Sequence, residues 1–433
     1  MHDAADSYYE ATSTGLRLPP LAGEGSEVEV AIIGGGFAGL ATARGLQERG
    51  LRSLAVLEAG ALGQGASGRC GGFVFGGYSR DCAALLRELG PGPARVLYAL
   101  TRDAVALIRR RIEGLGIACD RTEGGALLLD WFDGAGARAA LRRRAQMMRE
   151  QFGVDWRELS PSEVREAVET DRYGAALLEP DAFHFHPLKY VHGLAAALRA
   201  EGASLYERSP VSRIEKLHDG WRVHTAAGAS LRTRQLVLAG GATMQGLQRH
   251  LERSRLAIAT YVMATEPLPP GCEPIRTPAA LYDTRFAFDY YRMLPDRRLL
   301  WGGRISILVR DPARIAALLR ADLLRVYPQL AGLRIDHAWG GLMSYARHQM
   351  PQIGQLARGL WFAQAFGGHG VAPTTVAGEL LAETIQGGAA LPVELARYGL
   401  VPVFGRLGLA AAQASYSWAE LKDALRKRLS RPA

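Results

Sequence analysis

Residues 28–33 form an unbroken aliphatic run between polar sequence and glycines, the pattern of a strand buried on both faces. Over 37–49, Leu40, Ala43 and Leu46 recur at helical spacing and Gly50 supplies a stop. Residues 53–57 predict a second strand ending at Glu58, which completes a strand, helix, strand unit. The stretches 81–121 and 134–170, rich in Ala, Leu, Arg and Glu, predict helices joined by a strand near 126–130. A helix near 187–202 follows, then strands near 204–214, 221–225 and 236–238, the last running into Ala239-Gly240-Gly241. Tyr, Phe, Val and Leu dominate 255–310, where 286–294 and 299–305 predict strands of a mostly antiparallel sheet, and a helix is expected near 312–326. Beyond Trp339 the pattern predicts a loop, a strand at 360–363, a glycine turn at 367–370 and a helix to about residue 385.

The expected fold is α/β combined with α+β. A discontinuous Rossmann-like domain (28–85, 185–245, 340–395) holds a nucleotide, and a substrate domain built on an antiparallel sheet with helices (86–184, 246–339) is threaded between its pieces. Residues 1–27 are an extension and 396–433 a helical tail.

Composition narrows the class. The 433 residues are 48% hydrophobic and 22% charged, the balance of a soluble protein with a large core. Fifty-one glycines without a G-X-Y period exclude collagen and suggest close backbone approach to a ligand. The formal charge of +9 would permit nucleic-acid binding, but it is borne by scattered arginines with only four lysines, so solvated helix faces are the expected reading. Cys70, Cys82, Cys119 and Cys272 show no CxxC pair or metal spacing, which predicts no metal and reduced thiols in a cytoplasmic protein. No basic segment precedes an apolar stretch at the start, and no run approaches the ~18 apolar residues of a membrane span.

Gly34, Gly36 and Gly39 form GxGxxG between a predicted strand and helix, with Glu58 after the second strand. Gly34 allows the tight turn, Gly36 lets backbone N–H groups of Phe37 and Ala38 approach a pyrophosphate, and Gly39 allows close helix packing. Glu58, followed by Ala59, can accept from ribose hydroxyls. The context predicts dinucleotide binding, with FAD and NAD both open. A second fingerprint is missing, so electrons are expected from the substrate and not from NADPH.

Beyond Glu58 comes GASGRCGG, residues 65–72. Together with Ser7-Tyr8-Tyr9, the AIIGGGFAGLATA fingerprint, ATEPL at 264–268 and GGHGVAPTTVAGELLAE from Gly367, this sequence resembles the amine-oxidising branch of the D-amino-acid-oxidase-like (DAO) FAD flavoproteins, most of all its gamma-glutamylputrescine-oxidising members. The resemblance implies FAD, hydride transfer from the carbon beside an amine nitrogen of an amine or amino acid, an imine product, and O2 as electron acceptor. It implies that Gly65, Ala66, Ser67, Arg69, Cys70, Gly71 and Gly72 run along the cofactor and that the Val211 backbone meets the adenine. Gly240 and Gly241 would lie near the diphosphate. Gly367, Gly368, His369, Gly370 and Val371 would close over the flavin, with the following helix aiming about half a positive charge at it. His369 is either a catalytic base or a positioning residue.

Tyr290 resembles a substrate-facing tyrosine and is taken as a catalytic candidate. Strand alternation sets Phe288, Tyr290 and Arg292 on one face, so Arg292 is a candidate for a substrate carboxylate. Tyr345 and His348 are further substrate-binding candidates. No cysteine occurs in 340–344, where sarcosine-oxidising relatives attach flavin, so non-covalent FAD is expected. Their oxygen-activating lysine aligns with Trp301 and their carboxylate-clamping lysine with Ala372. This leaves open a dehydrogenase that passes electrons to a quinone or protein. Cys70 replaces an asparagine and is either a buried thiol or a reactive one. A nucleic-acid-binding flavoprotein is the non-enzymatic alternative.

Overall fold

The computed structural model describes residues 7–132 and 134–430, with side chains to residue 427. The expected 1–27 extension is therefore described only from Ser7, and the tail only to residue 430.

Parallel pairing builds the first sheet. Ser26–Ile33 lies between Ser230–Leu238 and Leu54–Leu57, with Ser204–Tyr206 beyond the latter and Leu360–Gln364 on the far flank of Ser230–Leu238. Val211–Lys216 and Trp221–Thr225 extend one edge antiparallel. Val30, Ala31 and Ile32 are fully buried, as an unbroken aliphatic run requires when both faces are covered. On one face lies the crossing of helices Phe37–Glu48 and Val371–Gly387. A Cβ on Gly378 would stand 2.6 Å from Ala41, and one on Gly45 2.9 Å from Ala382, so small residues let the helices touch. Each helix follows the carboxyl end of a parallel strand, which brings both N-termini to one edge of the sheet.

The second sheet is mostly antiparallel, in the order Ile335–Tyr345, Leu256–Thr265, Leu299–Ser306, Tyr290–Met293, Ala280–Asp283, Ala126–Leu129, Ala176–Glu179, Arg157–Leu159. Helix Pro312–Val326 backs it, and Tyr291, Trp301, Tyr327 and Leu319 fill the space between. A small third sheet, Phe73–Val74, Phe183–His184 and Thr122–Glu123, lies on the chain between the two.

Several expectations need correcting. The strand foreseen at 286–294 is only Tyr290–Met293, because the Arg285 guanidinium holds both Asp283 and Asp289 at 2.5 Å and folds the intervening residues into a turn. The 204–214 strand is two, interrupted where Arg208 takes a positive φ of 47° ahead of Ser209-Pro210. Within 134–170 the second half contains the strand Arg157–Leu159. The loop expected after Trp339 is instead the strand Ile335–Tyr345, which runs across residue 340 and pairs along the whole of Leu256–Thr265. Among the described residues no helix is long and apolar enough to cross a membrane, no cluster of metal-ligating side chains occurs, and all four cysteines are free.

Candidate functional site

The glycine fingerprint has the geometry its spacing predicts. Gly34 has φ of 114°, and a Cβ there would lie 2.6 Å from the Ala239 carbonyl, so the second glycine junction at Gly240 and Gly241 abuts the first. A Cβ on Gly39 would be 1.9 Å from the Gly34 oxygen. Gly36 is the N-cap of Phe37–Glu48 and brings no side chain to it. The Ser67 hydroxyl reaches over instead and accepts from Phe37 N–H at 2.9 Å, which fastens the 65–72 loop to the positive end of the helix. Glu58 accepts from Gly35 N–H at 2.8 Å and Gly60 N–H at 3.0 Å, leaving lone pairs for a diol. Its own N–H and C=O bond Tyr206 and Ser209, so the chain leading to Val211 passes beside it. A glycine cradle, a helix start whose N-cap Gly36 brings no side chain, and an adjacent acid fit a dinucleotide with a ribose.

Arg69 stretches back along the loop to the Gln64 carbonyl (2.9 Å) and across to Gly340 (3.2 Å). The Gly340–Ser344 stretch thus flanks the 65–72 loop, and Met343 Sδ lies 3.3 Å from where a Gly368 Cβ would stand. Cys70 donates to the Ser67 carbonyl at 3.6 Å, and burial pushes its thiol up to about 11. That shift favours the thiol over the thiolate at neutral pH.

The turn at Gly367, Gly368, His369, Gly370 and Val371 is bound from two sides. Tyr345 Oη accepts from Gly368 N–H at 2.8 Å. His369 donates from Nε2 to the Gly76 carbonyl at 2.9 Å and meets the Phe75 ring edge-on at 4.1 Å. Burial lowers its pKa to about 4. With Nε2 donating to a carbonyl, His369 ties the turn to Gly76. Tyr345 likewise braces the turn.

Two substrate-binding expectations fail on geometry. Arg292 is 1% exposed and donates to Gly71 O (2.9 Å), Phe185 O (2.9 Å), the Tyr9 hydroxyl (3.3 Å) and His184 Nδ1 (3.3 Å). His184 is held down to about 3 by burial and Arg292, and its Nε2 donates to Pro278 O. The guanidinium therefore has four protein acceptors and ties the 65–72 loop to the N-terminal segment. His348 donates to Gly399 O at 3.1 Å and packs on Tyr398, away from the glycine turns. Trp301 also points the other way, stacked on Tyr291 at 4.2 Å within the second core. Its neighbour Gly302 faces the site, because a Cβ there would strike the Tyr290 ring at 2.1 Å.

Tyr290 does stand at the site: a Cβ on Gly71 would be 2.7 Å from its ring, and Phe73 lies 5.7 Å away. Burial raises its phenol well above the ordinary value, so it stays a neutral phenol. Phe73, Phe75, Tyr282 and Glu179 escaped the sequence reading. The i, i+2 spacing of Phe73 and Phe75 beside Gly71-Gly72 was the available signal. Glu179 accepts from Gly76 N–H at 3.3 Å, and burial raises its carboxyl to about 7. The folded protein then holds a proton that the unfolded chain releases near 4.5, so stability falls as pH rises from about 4.5 to 7. Glu179→Gln keeps an acceptor for Gly76 and is expected to stabilise by about 2–3 kcal/mol at pH 8 and by almost nothing at pH 4.5, measured by urea unfolding.

Residues 29–384 match the model of the DAO family, described as FAD dependent oxidoreductase. The chain is 33% identical to gamma-glutamylputrescine oxidoreductase of Escherichia coli (strain K12) over 90% of its own length and 91% of that protein's. Its fold is shared with glycine oxidase from Geobacillus kaustophilus (TM-score 0.71, 22% identity, 87% of this chain and 99% of that one). L-proline dehydrogenase from P. horikoshii is similar to the same degree (TM-score 0.71, 22% identity, 89% and 100%). The glycine cradle, the ribose acid and the family match over most of the chain agree: this protein belongs to the DAO family of FAD dependent oxidoreductases.

Proposed function

We propose that the protein oxidises the C–N bond of an amine or amino acid to an imine, using non-covalently held FAD and O2 as final acceptor. The observation that carries this is the meeting of three elements: the 65–72 loop, the 367–371 turn and the Tyr290 strand share contacts through Gly71, Phe75 and His369. The likeness to gamma-glutamylputrescine oxidoreductase supports an amine as substrate. When bound, the flavin would supply the two-electron acceptor for hydride from the substrate carbon. The chain's own residues bind and orient: Gly34, Gly36 and the start of the Phe37 helix take the pyrophosphate, Glu58 the ribose, and Val211 and Gly240 flank them. Tyr290 covers the reacting end with a phenol that stays protonated. Gly340–Ser344 offers no cysteine for a covalent link. The four free thiols support a reducing, cytoplasmic compartment.

A second reading, a dehydrogenase delivering electrons to a quinone or protein, is favoured by one feature: the strand Leu299–Ser306 carries no lysine on either face. Purified protein is expected to be yellow and to bleach anaerobically with an amine substrate; a preparation that FAD cannot colour sinks the proposal. One peroxide per turnover in air supports the oxidase, and substoichiometric peroxide with turnover restored by a quinone supports the dehydrogenase.

A further inference from the structure

Five aromatic rings beside the glycine turns close into a cycle. Phe73 and Phe75 are 6.3 Å apart, Phe75 and Tyr282 5.7 Å, Tyr282 and Phe288 5.9 Å, Phe288 and Tyr290 6.2 Å, and Tyr290 returns to Phe73 at 5.7 Å. They come from three places in the chain: the Phe73–Val74 strand with Phe75 just after it, the strand Ala280–Asp283, and the turn into Tyr290–Met293. Four of the neighbouring pairs are inclined at 62–78°, as rings around a common centre are, while Phe75 and Tyr282 are stacked within 6°; a regular cycle with edges of about 6 Å has its centre about 5 Å from each centroid, inside the ~6 Å range over which a ring face attracts a cation.

Phe73, Phe75 and Tyr282 pack on the small buried cluster of Ala126, Ala182 and Ala280, and Tyr290 packs on the cluster of Tyr9, Val262 and Trp339, yet none of the rings is fully buried. All five keep some solvent exposure, Phe288 as much as 39%, while the intervening Val74, Leu281 and Tyr291 are fully buried on the opposite side. Glycine at 71 and 302 keeps Tyr290 in the cycle, since any side chain at either position would collide with it. His369 meets Phe75 edge-on, and the Glu179 carboxyl accepts from Gly76 N–H next to Phe75 and lies near Tyr282. Arg144, which is near Tyr282 and Glu179, is paired with Asp81 and lies over Trp156. Arg292, the cation on the same strand as Tyr290, is spent on backbone and hydroxyl acceptors, so this strand presents ring faces in place of a carboxylate clamp.

We infer that the ring of Phe73, Phe75, Tyr282, Phe288 and Tyr290 is the receptor for a substrate ammonium group, and that the substrate is a cationic alkylamine or polyamine and not an α-amino acid held by its carboxylate. The inference rests on the amine-oxidising reading and names its substrate class. The rings would hold the protonated, non-reacting nitrogen of a diamine, with the neutral reacting C–N bond lying towards Gly71 and Gly72. Converging ring faces can replace the water stripped from an ammonium, which a neutral group of the same shape does not need.

FAD-loaded protein titrated with choline and with its neutral isostere 3,3-dimethylbutan-1-ol, followed by flavin difference absorbance and calorimetry, tests it. Choline is expected to bind at least tenfold more tightly. Phe288→Leu and Tyr282→Leu should each erase most of that preference at unchanged FAD content, and Tyr282→Phe should keep it. Equal affinity for the two ligands, no binding of either, or a preference untouched in FAD-replete Leu variants overturns the inference. Bleaching by putrescine and 4-aminobutyrate separates the two levels of the argument. Bleaching without choline preference removes the ring alone, while choline preference in a flavoprotein that no amine bleaches removes the reaction alone.

Discussion

Gly36→Val is expected to weaken FAD binding at least about 100-fold while leaving the apoprotein folded, and Gly39→Ala is expected to cost the apoprotein itself. The contrast follows from what each new side chain meets. At Gly36 the backbone is extended, with φ of −92°, which any residue adopts, and the nearest obstacle is the movable Ser67 hydroxyl at 2.8 Å. The valine methyls would stand where the helix N–H groups must approach the pyrophosphate, so the cofactor carries the cost. At Gly39 the obstacle is backbone, the Gly34 oxygen at 1.9 Å, with Ile32 on the other side at 3.2 Å. The helix would have to withdraw from the buried strand it packs on, loosening the core around Val30 and Ile32. Urea unfolding of stripped protein and quenching of FAD fluorescence on titration separate the two. A Gly36→Val protein that retains FAD would remove the pyrophosphate from this turn.

The part of this arrangement that was legible in sequence is local or periodic. The fingerprint, Glu58 and the 65–72 and 367–371 glycine turns act through main-chain geometry, which glycine spacing reports directly. Ser67 was named as a cofactor residue, yet its bond to Phe37 N–H joins loops thirty residues apart and has no sequence signature. Phe288 does come to lie 6.2 Å from Tyr290, but from the turn ahead of the strand and not by strand alternation. Alternation failed for Arg292, because a side chain on the right face can still be swallowed by partners from elsewhere: Gly71, Phe185 and Tyr9 are remote in the chain and converge only in three dimensions. Trp301 lies on the face turned away from Tyr290. Side chains alternate with period two, so a one-residue offset moves a position to the opposite face, and Gly302 is the one that meets Tyr290. Phe73 and Phe75 were passed over because a two-residue strand gives alternation almost no length to show itself.

Arg292→Met should be among the most damaging single changes outside the glycine turns, lowering stability by about 3–5 kcal/mol. Methionine restores much of the volume but none of the donors, so the Gly71 and Phe185 carbonyls, the Tyr9 hydroxyl and His184 Nδ1 are left buried without their present partner. Lysine keeps the charge but not the planar fork, and its single ammonium cannot reach acceptors on three separate segments at once, so Arg292→Lys should recover less than half of the loss. The cost is expected to spread to the cofactor, because Gly71 belongs to the loop fastened at its other end by Ser67. FAD affinity should fall in both variants even where enough folded protein remains to measure it. A substrate-carboxylate role for Arg292 predicts the opposite pattern: normal melting temperature, normal FAD content, and a KM raised only for acidic substrates. Thermal melts of the holoprotein, FAD titration and a comparison of KM for carboxylate-bearing and carboxylate-free amines discriminate these outcomes. Wild-type melting in Arg292→Met would return the arginine to the substrate.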